Sequence, residues 1–267
     1  MERVTARNER TAAPAAALRP WLADISVLSV TAGGGQTLTH LPDAATALVF
    51  RSTADRGGEL LVLGPRRRAS YHPAKELPLC VKIRIRPGRA RPLLGVPVGA
   101  LVDRVVPLAE LWGPGGDRLA RELAGLGPET DPGLVVARLQ TALLARLAAR
   151  TPGDLSRSDL LRSAARAMTT RPRQRPEPVP ALARRLAVSE RQLRNLFTEG
   201  VGLSPKQLAR IERVRSVLAH PGERRWAQVA AETGYYDQSH LTAEFRGLMG
   251  VPPSAFGSGR LPEPRPC

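Results

Sequence analysis

The chain has 267 residues, 42% of them apolar, which is enough for two domains with ordinary cores. Its formal net charge of +16 at pH 7 favours an anionic partner, but the excess is spread along the whole chain and is mostly arginine, so the charge alone is weak evidence for nucleic acid. Neither Cys80 nor Cys267 has the spacing of a zinc site or a disulfide framework, and no apolar run is long enough for a transmembrane helix, so we expect a cytoplasmic protein.

Residues 1–20 lack the continuous apolar stretch of a secretory signal, and we expect a disordered leader there. Short segments bounded by Gly, Pro or Asp follow. They predict five strands, over 37–40, 47–51, 59–63, 69–72 and 79–86. In the last segment Val81, Ile83 and Ile85 alternate with basic residues, which is typical of a half-buried strand. Many short strands favour a β-sandwich or a small barrel.

This strand-rich part offers little for catalysis. His40 and His72 lie far apart in the sequence and form no His-x-His pair, so ordinary strand or turn histidines are favoured over a metal site. Cys80 lies in an apolar run, which favours a core residue over a nucleophile. The sequence contains no phosphate-loop or nucleophile-elbow motif. We therefore predict no catalytic residue, no cofactor and no metal.

Helices are predicted next, over 117–125 and from 131 to about 150. The second helix carries an apolar stripe at helical spacing: Val136, Leu139, Leu143 and Leu147. The stripe can pack on the strand-rich domain, which is the favoured interpretation, or form a homodimer seam through residues 131–150. An amphipathic helix over 154–168 is expected to begin the C-terminal domain, and the Arg/Pro-rich stretch 169–180 is expected to be extended.

Two pairs of short helices follow, over 179–199 and 227–256. Ser189 and Asp237 are good N-caps for the second helix of each pair. Each cap is followed by Leu four residues later and Phe eight residues later, which places both on one helix face. Between the pairs, a Ser-Pro start predicts a helix over about 205–219. This arrangement is typical of two helix-turn-helix units, although a simple αα-hairpin has the same local pattern.

The order SERQLRNLF, GLSPKQLARIERVRSVL and WAQVAAETGYYDQSHLTAEFRGLMGVPPSAF resembles the DNA-binding domain of AraC/XylS-type regulators, over about 177–256. The stretch after Val81, with RPG, LLGVP, DRVVPL and LWG, is similar to the cupin-like sensor domain at the front of some actinobacterial members. The resemblance implies an α+β chain. Its β-rich, cupin-like sensor or dimerisation domain would span 21–150, and its all-α domain with two helix-turn-helix units would span 154–256, before a disordered tail over 257–267.

The resemblance also implies which residues contact DNA. The base-reading positions fall on Arg191, Arg194 and Asn195 in the first unit, and on Gln238, Ser239 and Thr242 in the second. The residues suited to phosphate are Arg184, Arg185, Lys206 and Arg246. In so Arg-rich a chain, a merely solvated basic face is the alternative. Ala243 and Glu244 depart from the basic pattern usual in the second recognition helix. Repulsion between a carboxylate and phosphate then predicts that the second unit reads less sequence than the first.

Together these features predict a sequence-specific DNA-binding transcription regulator that is not an enzyme. Double-stranded DNA is the expected partner, with RNA polymerase, an unknown small-molecule effector and a second copy of the chain as further candidates, and no membrane. The main alternative is a cupin-like enzyme fused to a DNA-binding domain. A third is an architectural DNA-binding protein without an effector.

Overall fold

The computed structural model describes residues 10–30, 37–53, 57–74, 76–127, 130–168, 177–220 and 225–265. Within these ranges the strands are β1 (Arg10–Ala12), β2 (Leu22–Val30), β3 (Thr37–His40), β4 (Thr46–Thr53), β5 (Gly57–Leu63), β6 (Ser70–Pro73), β7 (Leu77–Ile85) and β8 (Val105–Pro107). An antiparallel sheet runs in the order β1-β2-β7-β4-β5-β8, and β3 pairs with β6 in a second sheet. The five predicted strands are confirmed as β3 to β7.

Strand β7 lies inside the larger sheet, between β2 and β4. Val81, Ile83 and Ile85 have no exposed surface, which confirms the predicted alternation. Val81 lies opposite Val27 of β2 and Phe50 of β4, so three strands contribute to the same core. Burying each of these aliphatic side chains contributes about 1.5–3 kcal/mol relative to leaving it in water.

Four α-helices accompany the strands in the described part of this half: α1 (Ala90–Leu94), α2 (Leu108–Trp112), α3 (Pro114–Ala124) and α4 (Pro132–Ala148). A 3-10 helix spans Val98–Leu101. In α4 the side chains of Val136, Leu139 and Leu143 are buried in the same core as β7. The interpretation that this stripe packs on its own domain is therefore confirmed. The homodimer predicted through residues 131–150 cannot use these three buried side chains, and it stays a prediction for the remaining surface of the helix, where Leu134 and Leu144 are exposed.

The C-terminal half is helical. Its helices are α5 (Pro152–Met168), α6 (Val179–Arg185), α7 (Glu190–Gly200), α8 (Pro205–Leu218), α9 (Trp226–Glu232), α10 (Gln238–Met249) and α11 (Pro253–Gly257). They enclose a second core around Phe197, Leu208 and Phe245, each at most 1% exposed. Ala44, from the loop between β3 and β4, is buried in this second core, so the two halves are in contact. Of the stretch predicted to be extended over 169–180, residues 169–176 lie outside the described residues.

The disordered leader predicted over 1–20 was wrong from residue 10 onward; residues 1–9 lie outside the described residues. Strand β1 pairs with β2, with Arg10 opposite Val27. A 3-10 helix spans Ala16–Leu18, and Leu18 is fully buried in the strand-domain core. The sequence did not show this, because an edge strand held by backbone hydrogen bonds and one buried side chain needs no run of apolar residues.

The disordered tail predicted over 257–267 was wrong for its described part, which ends at residue 265. The backbone N–H of Arg265 donates to the carbonyl of Tyr71 in β6 (2.9 Å). His72 Nδ1 donates in turn to the carbonyl of Arg265 (2.9 Å). The tail therefore crosses from the helical half back to the strand-rich half, and backbone hydrogen bonds of this kind do not depend on its Pro-rich composition.

Candidate nucleic-acid interface

The first helix-turn-helix unit consists of α6 and α7. Ala187, in the turn, has a φ of 53°, a left-handed conformation that lets the chain reverse between the helices. Ser189 Oγ accepts from the N–H of Gln192 (3.1 Å), and the Gln192 side-chain oxygen accepts from the N–H of Ser189 (2.8 Å). This reciprocal capping box fixes where α7 begins, as the sequence predicts. Leu193 and Phe197, 1% and 0% exposed, hold its inner face.

The predicted base-reading side chains Arg191, Arg194 and Asn195 are all exposed on the outer face of α7. Arg194 forms an ion pair with Glu190 one turn earlier (2.7 Å). The sequence reasoning overlooked this pair, although Glu and Arg four residues apart are a recognised helical pairing. An exposed pair of this kind contributes about 0.3–0.5 kcal/mol, whereas a bidentate arginine–guanine contact discriminates by about 1–3 kcal/mol. The ion pair therefore does not prevent Arg194 from reaching a base.

The second unit consists of α9 and α10. Gly234, with a φ of 80°, makes the turn after α9. Asp237 caps α10 by accepting from the N–H of His240 (2.7 Å), as predicted. Leu241 and Phe245 are 0% and 1% exposed, so the Leu and Phe positions match those of the first unit. The two units thus share both their caps and their buried side chains.

On the outer face of α10, Gln238 and Ser239 are exposed and Thr242 is half-buried. Ala243 is exposed beside them. The structure therefore groups the three residues predicted to contact bases in this unit on one accessible face. Their side chains are shorter or less directional than the arginines of α7.

Glu244 does not lie on that face. It is 8% exposed and accepts from Arg210 (3.1 Å) and Arg213 (2.9 Å) of α8, and from the Tyr235 hydroxyl (2.9 Å). The argument that Glu244 would repel phosphate was therefore wrong, because its charge is neutralised inside the fold. Burial, and then the Glu244 charge, raise the pKa of Tyr235 far above its ordinary range, so this phenol stays protonated and keeps donating.

The residues predicted to contact phosphate are placed differently from one another. Arg184, Lys206 and Arg246 are exposed. Arg185 is also exposed, but it forms an ion pair with Glu177 (2.9 Å) that fastens α6 to the segment before it. Lys206 lies in the first turn of α8, outside both helix-turn-helix units. Arg246 lies in the last turn of α10, one turn after the base-reading positions.

Helix α8 connects the two units. Its N-terminus has a second capping box, between Ser204 and Gln207, and Pro205 at the first helical position. Its bounds, Pro205–Leu218, confirm the predicted helix and give a length of about 21 Å at 1.5 Å per residue. Arg210 and Arg213, bonded to Glu244, attach this helix to α10. The spacing of the two recognition helices is therefore set by a capped and ion-paired element.

The N-terminal half contacts the C-terminal ends of both recognition helices. A Cβ added at Gly99, in the 3-10 helix Val98–Leu101, would lie 2.9 Å from the carbonyl of Thr198 in α7, so the two backbones are closely packed. At α10, the N–H of Ala69 donates to the carbonyl of Leu248 (2.8 Å), and the Tyr71 hydroxyl donates to the carbonyl of Met249 (2.6 Å). Both contacts leave the base-reading faces accessible.

The two histidines of the strand-rich half are brought together by the pairing of β3 with β6. The rings of His40 and His72 lie 5.4 Å apart, which sequence spacing did not indicate. Burial, followed by the charge of Arg66, lowers the pKa of His40 to about 3, so the ring is neutral at pH 7. The described residues contain no group of three His, Cys, Asp or Glu side chains that could hold a metal ion.

A family described as a helix-turn-helix domain matches residues 182–258, which contain both recognition helices. Residues 182–258 are therefore a helix-turn-helix domain, which follows a strand-rich N-terminal half. The match agrees with the predicted resemblance to the DNA-binding domain of AraC/XylS-type regulators. A second family, described as a domain of unknown function (DUF6597), matches residues 10–107, which contain all eight described strands. Among the described helices, none is long and apolar enough to span a membrane.

Similar solved structures include one of AdpA and two of ToxT. The DNA-binding domain of AdpA, a global transcriptional factor in complex with a target DNA, is 22% identical, covers 39% of this chain and 90% of that chain, and has a TM-score of 0.32. ToxT from Vibrio cholerae O395 is 12% identical, covers 88% of this chain and 96% of that chain, and has a TM-score of 0.43. ToxT from strain SCE256 with bound unsaturated fatty acid is 12% identical, with coverages of 91% and 98% and a TM-score of 0.39. No curated protein matches the chain.

Proposed function

We propose that this AraC-type regulator reads two adjacent major-groove segments of one DNA site, with α7 in the first segment and α10 in the second. The observation that carries the proposal is the matched construction of the two units, each with a capped helix, a buried Leu and Phe, and an exposed polar face. Successive major-groove segments on one face of DNA lie about 34 Å apart. A connecting helix of about 21 Å, with a recognition helix at each end, suits that separation.

The first unit contributes more of the sequence discrimination than the second. Arg191, Arg194 and Asn195 of α7 can make directed contacts, since arginine forks to guanine O6 and N7 and asparagine to adenine N6 and N7. Gln238, Ser239 and Thr242 of α10 make shorter or more permissive contacts. The asymmetry now rests on the side-chain types alone, because Glu244 lies inside the fold.

The phosphate backbone is held by the basic residues beside these helices: Arg184, Arg185, Lys206 and Arg246. Such contacts fix the register of the protein on the duplex without reading sequence. Arg185 makes this contact while retaining or exchanging its ion pair with Glu177, since both side chains reach solvent.

The strand-rich, cupin-like half is the place for effector control. Because it contacts the C-terminal ends of both α7 and α10, a ligand that shifts this half changes how the two units are held. The same proposal includes two further partners. One is RNA polymerase, and the other is a second copy of the chain bound through residues 131–150, where Leu134 and Leu144 are exposed.

The test is a binding selection on randomised DNA with the full chain and two variants. Arg194→Ala should weaken binding by about 1–3 kcal/mol and relax the preference at one or two base pairs. Arg246→Ala should weaken binding to all sequences alike and lower the salt slope by about one. If Arg246→Ala reshapes the preferred sequence while Arg194→Ala leaves it intact, the assignment is reversed. Metal analysis of the purified protein addresses the enzyme alternative, which requires a stoichiometric metal or a nucleophile.

A further inference from the structure

A groove of about 790 Å³ lies between the second recognition helix and the strand-rich half. Its walls come from three separate parts of the chain. Ala243 and Arg246 belong to α10, Arg68 belongs to the loop before β6, and Arg265 belongs to the tail. Ala243 and Arg246 lie on the face of α10 that carries the base-reading positions, so the groove opens beside the proposed DNA contact.

The three guanidinium groups in this groove are free to bind an anion. Arg68, Arg246 and Arg265 are exposed, and within the described residues none of them has a carboxylate partner. Neighbouring charges are already compensated, since Arg67 pairs with Asp103 (2.6 Å) and Arg210 pairs with Glu244 (3.1 Å). Among the described residues that line the groove, Glu263 is the one acidic side chain, so the described lining carries a net positive charge.

Hydrogen bonds and packing fix the position of the tail against β6 and α10. The N–H of Arg265 donates to the carbonyl of Tyr71, and the ring Nδ1 of His72, the next residue of β6, donates to the carbonyl of Arg265. A Cβ added at Gly250 would lie 3.9 Å from Pro262, so the tail also passes close to the end of α10. The Tyr71 hydroxyl bonds to the carbonyl of Met249, which fastens β6 to the same helix end. The three parts of the groove are thus linked by hydrogen bonds whose distances are 2.6–2.9 Å.

We propose that Arg68 of the strand-rich half and Arg265 of the tail bind the DNA phosphate backbone beside the segment read by α10, continuing the line of positive charge that begins at Arg246. The proposal rests on the proposed function, since it needs α10 in a major groove. When a helix lies in the DNA major groove, the phosphates of the flanking strand run along the side of the helix. Arginines from neighbouring parts of the protein can reach these phosphates there. The N-terminal half is then part of the DNA-binding surface.

An extended polyanion suits this groove better than a small anion does. The groove is open, and its arginines are exposed and come from three elements instead of converging on one buried point. Long arginine side chains on the rim of an open groove match phosphates spaced along a strand.

The experiment measures the affinity of the full chain for its selected site by fluorescence anisotropy at several salt concentrations. Each phosphate contact contributes about 0.9 to the slope of log K against log salt. Arg68→Ala and Arg265→Ala should each reduce the slope by about 0.9 and weaken specific and non-specific binding by the same factor. Arg118→Ala is the matched control, because Arg118 is an exposed arginine on α3, without a carboxylate partner among the described residues, in the strand-rich half. It should leave the slope unchanged.

A second duplex, shortened to end at the base pairs read by α10, should bind wild type and Arg68→Ala equally, because the flanking phosphates are gone. Unchanged slopes for Arg68→Ala and Arg265→Ala on the long duplex overturn the inference while leaving the proposed function intact, provided that Arg194→Ala still relaxes the sequence preference. A different outcome would overturn the inference in favour of a small-anion site. In that case the slopes are unchanged, and pyrophosphate raises the melting temperature of wild type but not of Arg68→Ala. Failure of the full chain to bind any duplex overturns both proposals. Melting curves of each variant confirm folding.

Discussion

The buried carboxylate of Glu244 predicts a large loss of stability when it is removed. Glu244→Ala leaves Arg210, Arg213 and the Tyr235 hydroxyl without their shared acceptor. Removing one member of a buried ion pair costs about 3–5 kcal/mol. The Arg210 and Arg213 side chains are 40% and 20% exposed, so water partly compensates them, and we expect a smaller loss of about 2–3 kcal/mol in the free energy of unfolding.

Urea denaturation of the full chain, followed by circular dichroism, measures this change. Glu190→Ala is the control, because Glu190 is also an ion-paired helical glutamate, but its partner Arg194 is 60% exposed. Glu190→Ala should lower the free energy of unfolding by less than about 1 kcal/mol. DNA binding supplies a second readout. If Glu244 faced DNA, Glu244→Gln would strengthen binding by removing a repelled charge. A loss below about 0.5 kcal/mol for Glu244→Ala, combined with tighter DNA binding by Glu244→Gln, would refute the internal role.

Three further predictions concern the cores, the caps and pH. Phe197→Ala and Phe245→Ala, at positions 0% and 1% exposed, should each lower the free energy of unfolding by about 3–5 kcal/mol in chemical denaturation, and a loss below about 1 kcal/mol would contradict their burial. Ser189→Ala removes one half of the capping box of α7 and should lower the free energy of unfolding by about 1 kcal/mol. Thr198→Ala on the same helix removes a hydroxyl that donates to the carbonyl of Arg194 one turn earlier, outside the cap, and should lower it by less. His40 is neutral in the folded state, with its pKa lowered to about 3 from 6.5, so the unfolded chain binds the proton more readily and stability falls as pH drops below 6.5. Between pH 7 and pH 5 wild type should lose about 2 kcal/mol more than His40→Gln, and equal losses in the two proteins would contradict the burial of His40.

The parts of the fold that were predicted correctly depend on local signals. A capping residue and its third neighbour, or Leu and Phe at helical spacing, lie within one or two turns of each other, so Ser189 and Phe197 could be assigned from sequence alone. Strand β7 was predicted for the same reason, since its alternation is complete within nine residues. The exposed faces of α7 and α10 followed directly from these assignments, because the side of a helix that is not buried is the side left exposed. That these faces read bases stays a prediction.

The parts that were missed depend on partners distant in sequence. Glu244 is acidic and lies in a recognition helix, and only the approach of α8, whose arginines are 31 and 34 residues away, makes it an interior residue. The tail is Pro-rich, yet its backbone reaches β6 across a separation of 193 residues. The His40 and His72 pair likewise exists only because β3 pairs with β6. Sequence periodicity describes faces of single elements and carries no information about which element will cover them.

The contacts between the two halves bear on how such a regulator can be controlled. Thr198 of α7 packs on one 3-10 helix of the strand-rich half, while Leu248 and Met249 of α10 bond to β6. The spacing of the recognition helices is therefore determined twice, by α8 from within the helical half and by the strand-rich half from outside. A signal that moves the strand-rich half must strain or release one of these attachments. Both recognition helices are anchored by charged side chains: Glu244 joins α10 to α8, and the ion pair between Arg91 of α1 and Glu199 of α7 (3.0 Å) joins α7 to the strand-rich half. We therefore expect movement of the strand-rich half to act on both helices, since each attachment biases the position of the helix that it holds.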